Sequence, residues 1–345
     1  MTHPRSSGSY PATDVTMLFQ RLTDTQLMSA RIPDPVGHYA RTVPNEPAPE
    51  SIVDRLFDDT LAQHAAAVAE TVANTAAQLL TLDQPPTLVS LARAGIPAGV
   101  LLARCLQQWT SRPTPHYAVG LLDGLGLDTA AIAHIAAMHP AESIVFVDGW
   151  IGKGATINEL RDHAARLGVP GRLAALADPT GLADHAGTNE DLLIPHALLN
   201  KTVCGLLGRP IHRPDITGPN SYFAAEHATE LRSRDKSLHY VESIGALVPT
   251  TPPLLHHPGI DDVKIPAAAA IDAIAARHTN GRTELVKAGL SETCRALTRD
   301  RARIILTREE THATLAALAE WRDVPVKTED IGPYRAVAIV ETPTW

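Results

Sequence analysis

The run Ile144-Val145-Phe146-Val147-Asp148-Gly149-Trp150-Ile151-Gly152-Lys153-Gly154-Ala155-Thr156 holds the residue types most suited to chemistry. Its opening apolar residues, with a β-branched bias, read as a buried parallel strand. An acid stands where that strand ends, a glycine-rich turn follows, and a helical pattern opens at Thr156 and continues to about Leu167. Together these make an anion cradle. Free N–H groups and the positive end of the helix face the loop's contents, and glycines let the backbone approach closely. Lys153 adds a point charge suited to phosphate. Asp148 is placed for a ribose hydroxyl or a metal, so a phosphorylated sugar is the expected ligand. Two other phosphate loops are excluded. A Walker A loop needs Ser or Thr after its Lys, but Gly154 follows Lys153. A dinucleotide fingerprint needs a third glycine, but Gly152-Lys153-Gly154 is followed by Ala155-Thr156-Ile157.

These residues need a scaffold, and the flanking pattern supplies one. Strands are expected at 87–91, 116–122, 143–148 and 172–177, alternating with helices at 96–108, 129–138 and 155–167. Such alternation implies an α/β fold, a doubly wound parallel sheet with helices on both faces. Ligands bind beyond the carboxyl ends of the strands in these sheets. Arg93, Asp148 to Thr156, and Asp178 all leave strands at that edge. An early Ala-rich helix is expected from about Ser51 to Leu82, and Asp24 to Tyr39 reads as an irregular arm. The expected divisions are a disordered lead-in over 1–13, a first domain over 14–248, a Pro-rich linker over 249–261 that includes His256-His257, and a small α/β domain over 262–345. In that last part, helices are expected at Lys264–Arg277, Leu285–Leu297 and Glu310–Trp321, with strands at 302–306, 324–326 and 336–340.

The Asp148–Thr156 run resembles the ribose-phosphate loop of type I phosphoribosyltransferases, with Gly149 replacing the second acid. Ala92-Arg93-Ala94-Gly95-Ile96-Pro97, after an apolar strand about 55 residues earlier, resembles their pyrophosphate loop. With His116-Tyr117, Asp191–Pro195, Asn200 and the trailing small domain, the chain resembles a bacterial phosphoribosyltransferase-like family of tellurium-resistance and stress operons. That family also carries the label of StiP-type cysteine proteases and has a C-terminal Pelota-like RNA-binding domain. The resemblance implies a transferase that uses phosphoribosyl pyrophosphate (PRPP) to make or break a glycosidic bond to ribose 5-phosphate. Arg93, Ala94 and Gly95 would bind pyrophosphate, and Gly152, Lys153, Gly154, Ala155 and Thr156 the 5′-phosphate. Asp148 would orient the ribose beside Mg²⁺ held mostly by substrate. Asp178, Asp191 and Asn200 are candidates for the acceptor side. The alternatives are phosphorolysis or hydrolysis of a nucleotide, and a nucleotide- or RNA-sensing stress protein without catalysis.

The protease label meets a physical objection in the sequence around the cysteines. A nucleophilic cysteine needs a base and surroundings that favour thiolate. Cys204 lies in a stretch, Asn200 to Leu207, that reads as a helix with apolar neighbours, and Cys105 lies within Leu101–Leu106. Both read as buried and inert, so proteolysis is set aside as the leading expectation. The cysteines Cys105, Cys204 and Cys294 have no zinc spacing, and none of the histidines completes a metal set. A net charge of −8 argues against a nucleic-acid-coating protein; Arg295, Arg299, Arg301, Arg303 and Arg308 form a basic cluster that by itself reads as a solvated face, and RNA is the partner that the resemblance to Pelota-like domains implies for it. No apolar stretch is long enough to cross a membrane, so no membrane partner and a cytoplasmic setting are expected, and a homodimer is left open.

Overall fold

The computed structural model describes residues 6–33, 39–44, 46–254, 264–299, 302–308 and 310–341, without the side chains of 156 and 264–266. Its centre is a six-stranded parallel sheet of β1 (Thr16–Met17), β2 (Thr87–Leu91), β3 (His116–Val119), β4 (Ile144–Trp150), β5 (Leu173–Ala177) and β6 (His185–Ala186), in spatial order β1-β3-β2-β4-β5-β6. Alternate strand residues point to opposite faces. Leu88, Val145, Val147 and Leu176 meet α2 (Ser51–Leu79), α3 (Gly95–Thr110) and α6 (Ser237–Gly245) on one side. Val89, Phe146, Leu173 and Ala175 meet α4 (Thr129–Ala136) and α5 (Ala155–Arg166) on the other. Both faces are covered, which is why these strands are almost continuously apolar.

The small domain has a second, mixed sheet of β7 (Val286–Ala288), β8 (Ala302–Thr307), β9 (Val326–Thr328) and β10 (Ala336–Val340), ordered β7-β10-β8-β9. The helix α7 (Lys264–His278) covers one face through Ile271, Ile274 and Ala275. The helices α8 (Leu290–Arg299) and α9 (Ala313–Arg322) cover the other, and their Leu290, Cys294, Leu297 and Leu318 belong to the same apolar cluster as α2 and α3. The small domain is therefore seated on the first by a continuous hydrophobic contact, whose burial favours docking.

Several expectations change. Residues 6–13 are not a loose lead-in: Tyr10 is buried and donates its hydroxyl to Val203 O at 2.9 Å. The arm contains α1 (Asp24–Arg31), begun by a capping box in which Thr23 and Gln26 satisfy each other's backbone N–H groups. Residues 200–207 are not a helix. They form a short 3-10 turn, Lys201–Val203, and Leu206 then adopts φ +61°. The helix expected from Leu285 starts only at Leu290, after the strand β7. The part of the expected linker from 255 onwards, with His256-His257, lies outside the described residues, as does Arg301. Among the described residues no helix is long and apolar enough to cross a membrane.

Candidate functional site

Arg93 leaves the carboxyl end of β2 and is buried, and its guanidinium donates to both oxygens of Glu46 at 2.5 Å each. Burial pushes the Glu46 carboxyl up, but Arg93 overrides it and holds the group at about 2. Burial likewise disfavours the Arg93 cation, and Glu46 reverses that. A planar fork meeting a carboxylate in two parallel bonds is the strongest geometry available to such a pair. It stands in a cavity of about 580 Å³ where the two domains meet. Lys201 and Arg209 line it from the first domain, and Arg295 and Arg299 of α8 and Trp321 of α9 line it from the second. Asn200 and Thr202 also line it, and Asn200 Oδ1 and Thr202 Oγ1 are buried without hydrogen-bond partners.

The expected phosphate cradle is built as a turn but is covered by the small domain. Gly154 takes φ +75°, a left-handed angle that starts α5 sharply after the strand. Lys153 Nζ donates to Thr283 O at 2.5 Å, and Tyr334 Oη donates to Gly152 O at 3.3 Å. Burial first, and then neighbouring Lys287, lower the Lys153 ammonium to about 8. Trp150 Nε1 donates to Glu292 at 3.3 Å. Asp148 accepts its own Gly149 N–H at 2.7 Å, and burial raises its carboxyl to about 7. The side chain of Thr156 lies outside the described residues, while Ala155 is the first residue of α5.

Gly149 has a packing reason to be glycine. A Cβ there would lie 2.8 Å from His196 Nε2 and 3.0 Å from Ala94 O. The imidazole of His196 fills the space a second acid would need. It donates from Nε2 to Ala94 O at 2.9 Å and accepts the Tyr240 hydroxyl at Nδ1, also at 2.9 Å.

The three acceptor-side candidates separate. Asp178 is consumed within its own turn, accepting from Thr180 N, Thr180 Oγ1 and Ala183 N. Asp191 accepts the backbone N–H groups of Leu290 and Arg335, both at 2.7 Å, and so pins the small domain to the first. Burial raises its carboxyl to about 6. Asn200 alone of the three reaches the cavity. The structure thus brings Arg93 and Asn200 together and sets Asp178 apart. Among the described residues no group of three or more His, Cys, Asp or Glu could hold a metal ion. Nor do the basic residues form one surface: Arg295 and Arg299 turn into the cavity, while Arg303 donates to His278 O and Arg308 to Gly332 O. The sequence reading missed Glu46, Arg209 and Trp321. The proline spacing Pro44, Pro47, Pro49 was the available signal for an extended segment near the site.

All three cysteines are buried free thiols with raised pKa values, but their surroundings differ. Burial alone lifts Cys105 to about 12. Burial, reinforced by Asp191, lifts Cys294. Burial lifts Cys204 to about 11, and there Arg93, Arg299 and Arg295 pull the other way. Cys204 directly follows the Lys201–Val203 turn, whose Lys201 and Thr202 line the cavity.

Residues 8–245 match the family described as the tellurite-like stress resistance cysteine protease StiP, and residues 266–342 match a PELOTA RNA-binding domain. This chain belongs to the StiP family. It is 29% identical to the "Cysteine protease StiP" of Acinetobacter baylyi, over 97% of this chain and 94% of that protein. The family resemblance read from the motifs is thereby borne out, including the Pelota-like domain. A hypoxanthine phosphoribosyltransferase of Trypanosoma cruzi overlaps 41% of this chain and 78% of its own, with 15% identity and a TM-score of 0.25.

The activity expected from the resemblance is corrected. The StiP family and the Acinetobacter relative are named for cysteine proteolysis, a hydrolase chemistry, and not for PRPP-dependent glycosyl transfer. The structure supplies a physical reason for the error. The loop that resembles a ribose-phosphate cradle is occupied by Thr283, Tyr334 and Glu292, and the missing acid's place by His196.

Proposed function

We propose that this chain is a cysteine-dependent peptide hydrolase of stress resistance, with Cys204 as its nucleophile and a latent resting state. One observation carries the choice of residue: among the three cysteines, only the surroundings of Cys204 include cations that favour thiolate, namely Arg93, Arg299 and Arg295. A thiolate, not a thiol, is the attacking species. Glu46 opposes it twice, by raising the Cys204 thiol directly and by neutralising Arg93. Release of Glu46 from Arg93 therefore favours the thiolate, the thiol proton passing to water admitted by the opening. The sulfur then attacks the scissile carbonyl carbon and the amine leaves with a proton from water. A second water hydrolyses the thioester to acid and thiol.

The test is hydrolysis of a fluorogenic unfolded protein by the full chain and its Cys→Ser variants. Cys204→Ser is expected to abolish thiol-dependent hydrolysis, while Cys105→Ser and Cys294→Ser retain it. Undiminished hydrolysis by a folded Cys204→Ser protein overturns the assignment.

A further inference from the structure

The domain-interface cavity holds more cationic than anionic side chains. Arg93, Lys201, Arg209, Arg295, Arg299 and Arg322 line it, against the carboxylates Glu46, Glu50 and Glu292. Some of these cations are already matched. Lys201 meets Glu226 at 2.8 Å, and Arg295 lies 3.5 Å from Glu292. Arg322 stacks over Trp321 at 3.8 Å and donates to Leu297 O. Arg299 is different: its Nε is shut off from solvent without a hydrogen-bond partner. Burial, and then repulsion by Arg295 and Arg93, lower its proton affinity well below the ordinary arginine range. A guanidinium partly withdrawn from water and repelled by neighbouring cations favours a nearby anion, because a desolvated charge without a partner is costly. Asn200 Oδ1 and Thr202 Oγ1, also buried and unpartnered, supply polar groups on the same cavity wall.

One of these carboxylates already sits on Arg93, and its form is informative. Glu46 reaches Arg93 from the segment 46–50, which has neither helix nor strand and whose Pro47, Ala48 and Pro49 line the cavity. The resident ligand is thus a glutamate carried on non-regular, proline-punctuated backbone. The rest of the lining includes apolar Val53, Leu122 and Leu198, which suit side chains. Glu50 and Glu292 in the lining would repel a continuous polyphosphate. A cavity of about 580 Å³ lies within the range of sites for small ligands and short segments.

We propose that the cavity is an acidic-peptide site, in which Arg93 and Arg299 take a Glu or Asp side chain of a bound peptide and Glu46 occupies that position in the resting chain. Displacement of Glu46 by the incoming carboxylate couples peptide binding to the exposure of Arg93. That such peptides are substrates rests on the reading of Cys204 as nucleophile; that they bind does not.

The test is fluorescence anisotropy of the full chain with labelled hexaglutamate, hexaglutamine and a uridine-rich RNA hexamer at physiological salt. Hexaglutamate is expected to bind more tightly than hexaglutamine. Glu46→Gln removes the internal competitor and is expected to tighten hexaglutamate binding by about tenfold or more. Arg299→Leu is expected to weaken it by about tenfold, a change matched to one charge-assisted contact, without altering hexaglutamine binding. Among the described residues Arg299 is in no ion pair, so this variant carries the test if Glu46→Gln, which strands Arg93, fails to fold.

Equal binding of the acidic and neutral peptides overturns the proposal. So does RNA binding that Arg299→Leu weakens while hexaglutamate does not compete. If hexaglutamate binds as stated but the chain hydrolyses nothing, the site stands and the hydrolase reading falls. If hydrolysis requires Cys204 but hexaglutamate binds no more tightly than hexaglutamine, the hydrolase stands and this site falls.

Discussion

His196 gives the fold a calculable sensitivity to acid. Its neutral tautomer is fixed from both sides, with Nε2–H donated to Ala94 O and Nδ1 accepting from Tyr240. The ring is 1% exposed, and burial lowers its pKa from 6.5 to about 3. The folded state therefore resists protonation while the unfolded chain accepts it. Because the folded pKa is the depressed one, the stability is fully present above 6.5. It falls as the pH drops from 6.5 towards 3, since the unfolded state then binds more protons. At pH 5 the window already crossed is about 1.5 units, and at about 1.36 kcal/mol per unit the loss is about 2 kcal/mol.

His196→Gln removes the titration. The variant is expected to be less stable at pH 7 because the ring's packing and hydrogen bonds are lost. Its further loss between pH 7 and pH 5 is expected to be smaller than the parent's by about 2 kcal/mol. Urea unfolding of both proteins at the two pH values measures this difference of differences, in which the other titrating groups cancel. Equal losses in parent and variant would refute the claim that His196 is held neutral at the junction of the Ala94 loop, Gly149 and α6.

Other expectations follow from the same contacts. Gly149→Ala is expected to cost about 1–3 kcal/mol by overpacking against His196 and Ala94, and Gly149→Asp more; thermal melts check both, and a tolerated Asp would show that the His196 contact is not tight. Asp191→Ala removes two charge-assisted anchors of the small domain and is expected to cost about 3–6 kcal/mol in urea unfolding at pH 7; a loss below about 1 kcal/mol would mean that the apolar seat alone holds the domains together. With its thiol raised to about 11, Cys204 in the folded parent is expected to resist a disulfide reagent at pH 7.5. All three cysteines should titrate in urea, and rapid labelling of Cys204 in the native state would contradict the latent arrangement.

The strand 144–150, the glycine turn and the helix after it were legible because each is specified locally. A β-branched apolar run buries on both faces, and Gly154 supplies an angle other residues avoid. The two-sided sheet and the edge where Arg93 and Asp148 emerge followed from the same alternation, and so did the family. The short elements escaped. The strand Val286–Ala288 is too brief to show a period, and residues 200–207 carry a helical apolar pattern but are held in turns by long-range contacts such as Lys201 to Glu226.

The occupancy of the site was not encoded locally at all. Glu46 finds Arg93 across 47 positions, and Lys153 finds Thr283 across 130. An arginine cluster that reads as a solvated face becomes, in α8, a wall of the cavity. The sequence by itself determined the parallel sheet, the loops at its carboxyl edge and the family, because propensity, periodicity and motif spacing act within short windows. Only the tertiary structure decided that the small domain closes over the phosphate-like loop and that Arg93, Arg299 and Cys204 share one environment. Docking energy comes from apolar surface and charge pairs whose partners are distant in the chain, and local patterning carries no record of which of them meet.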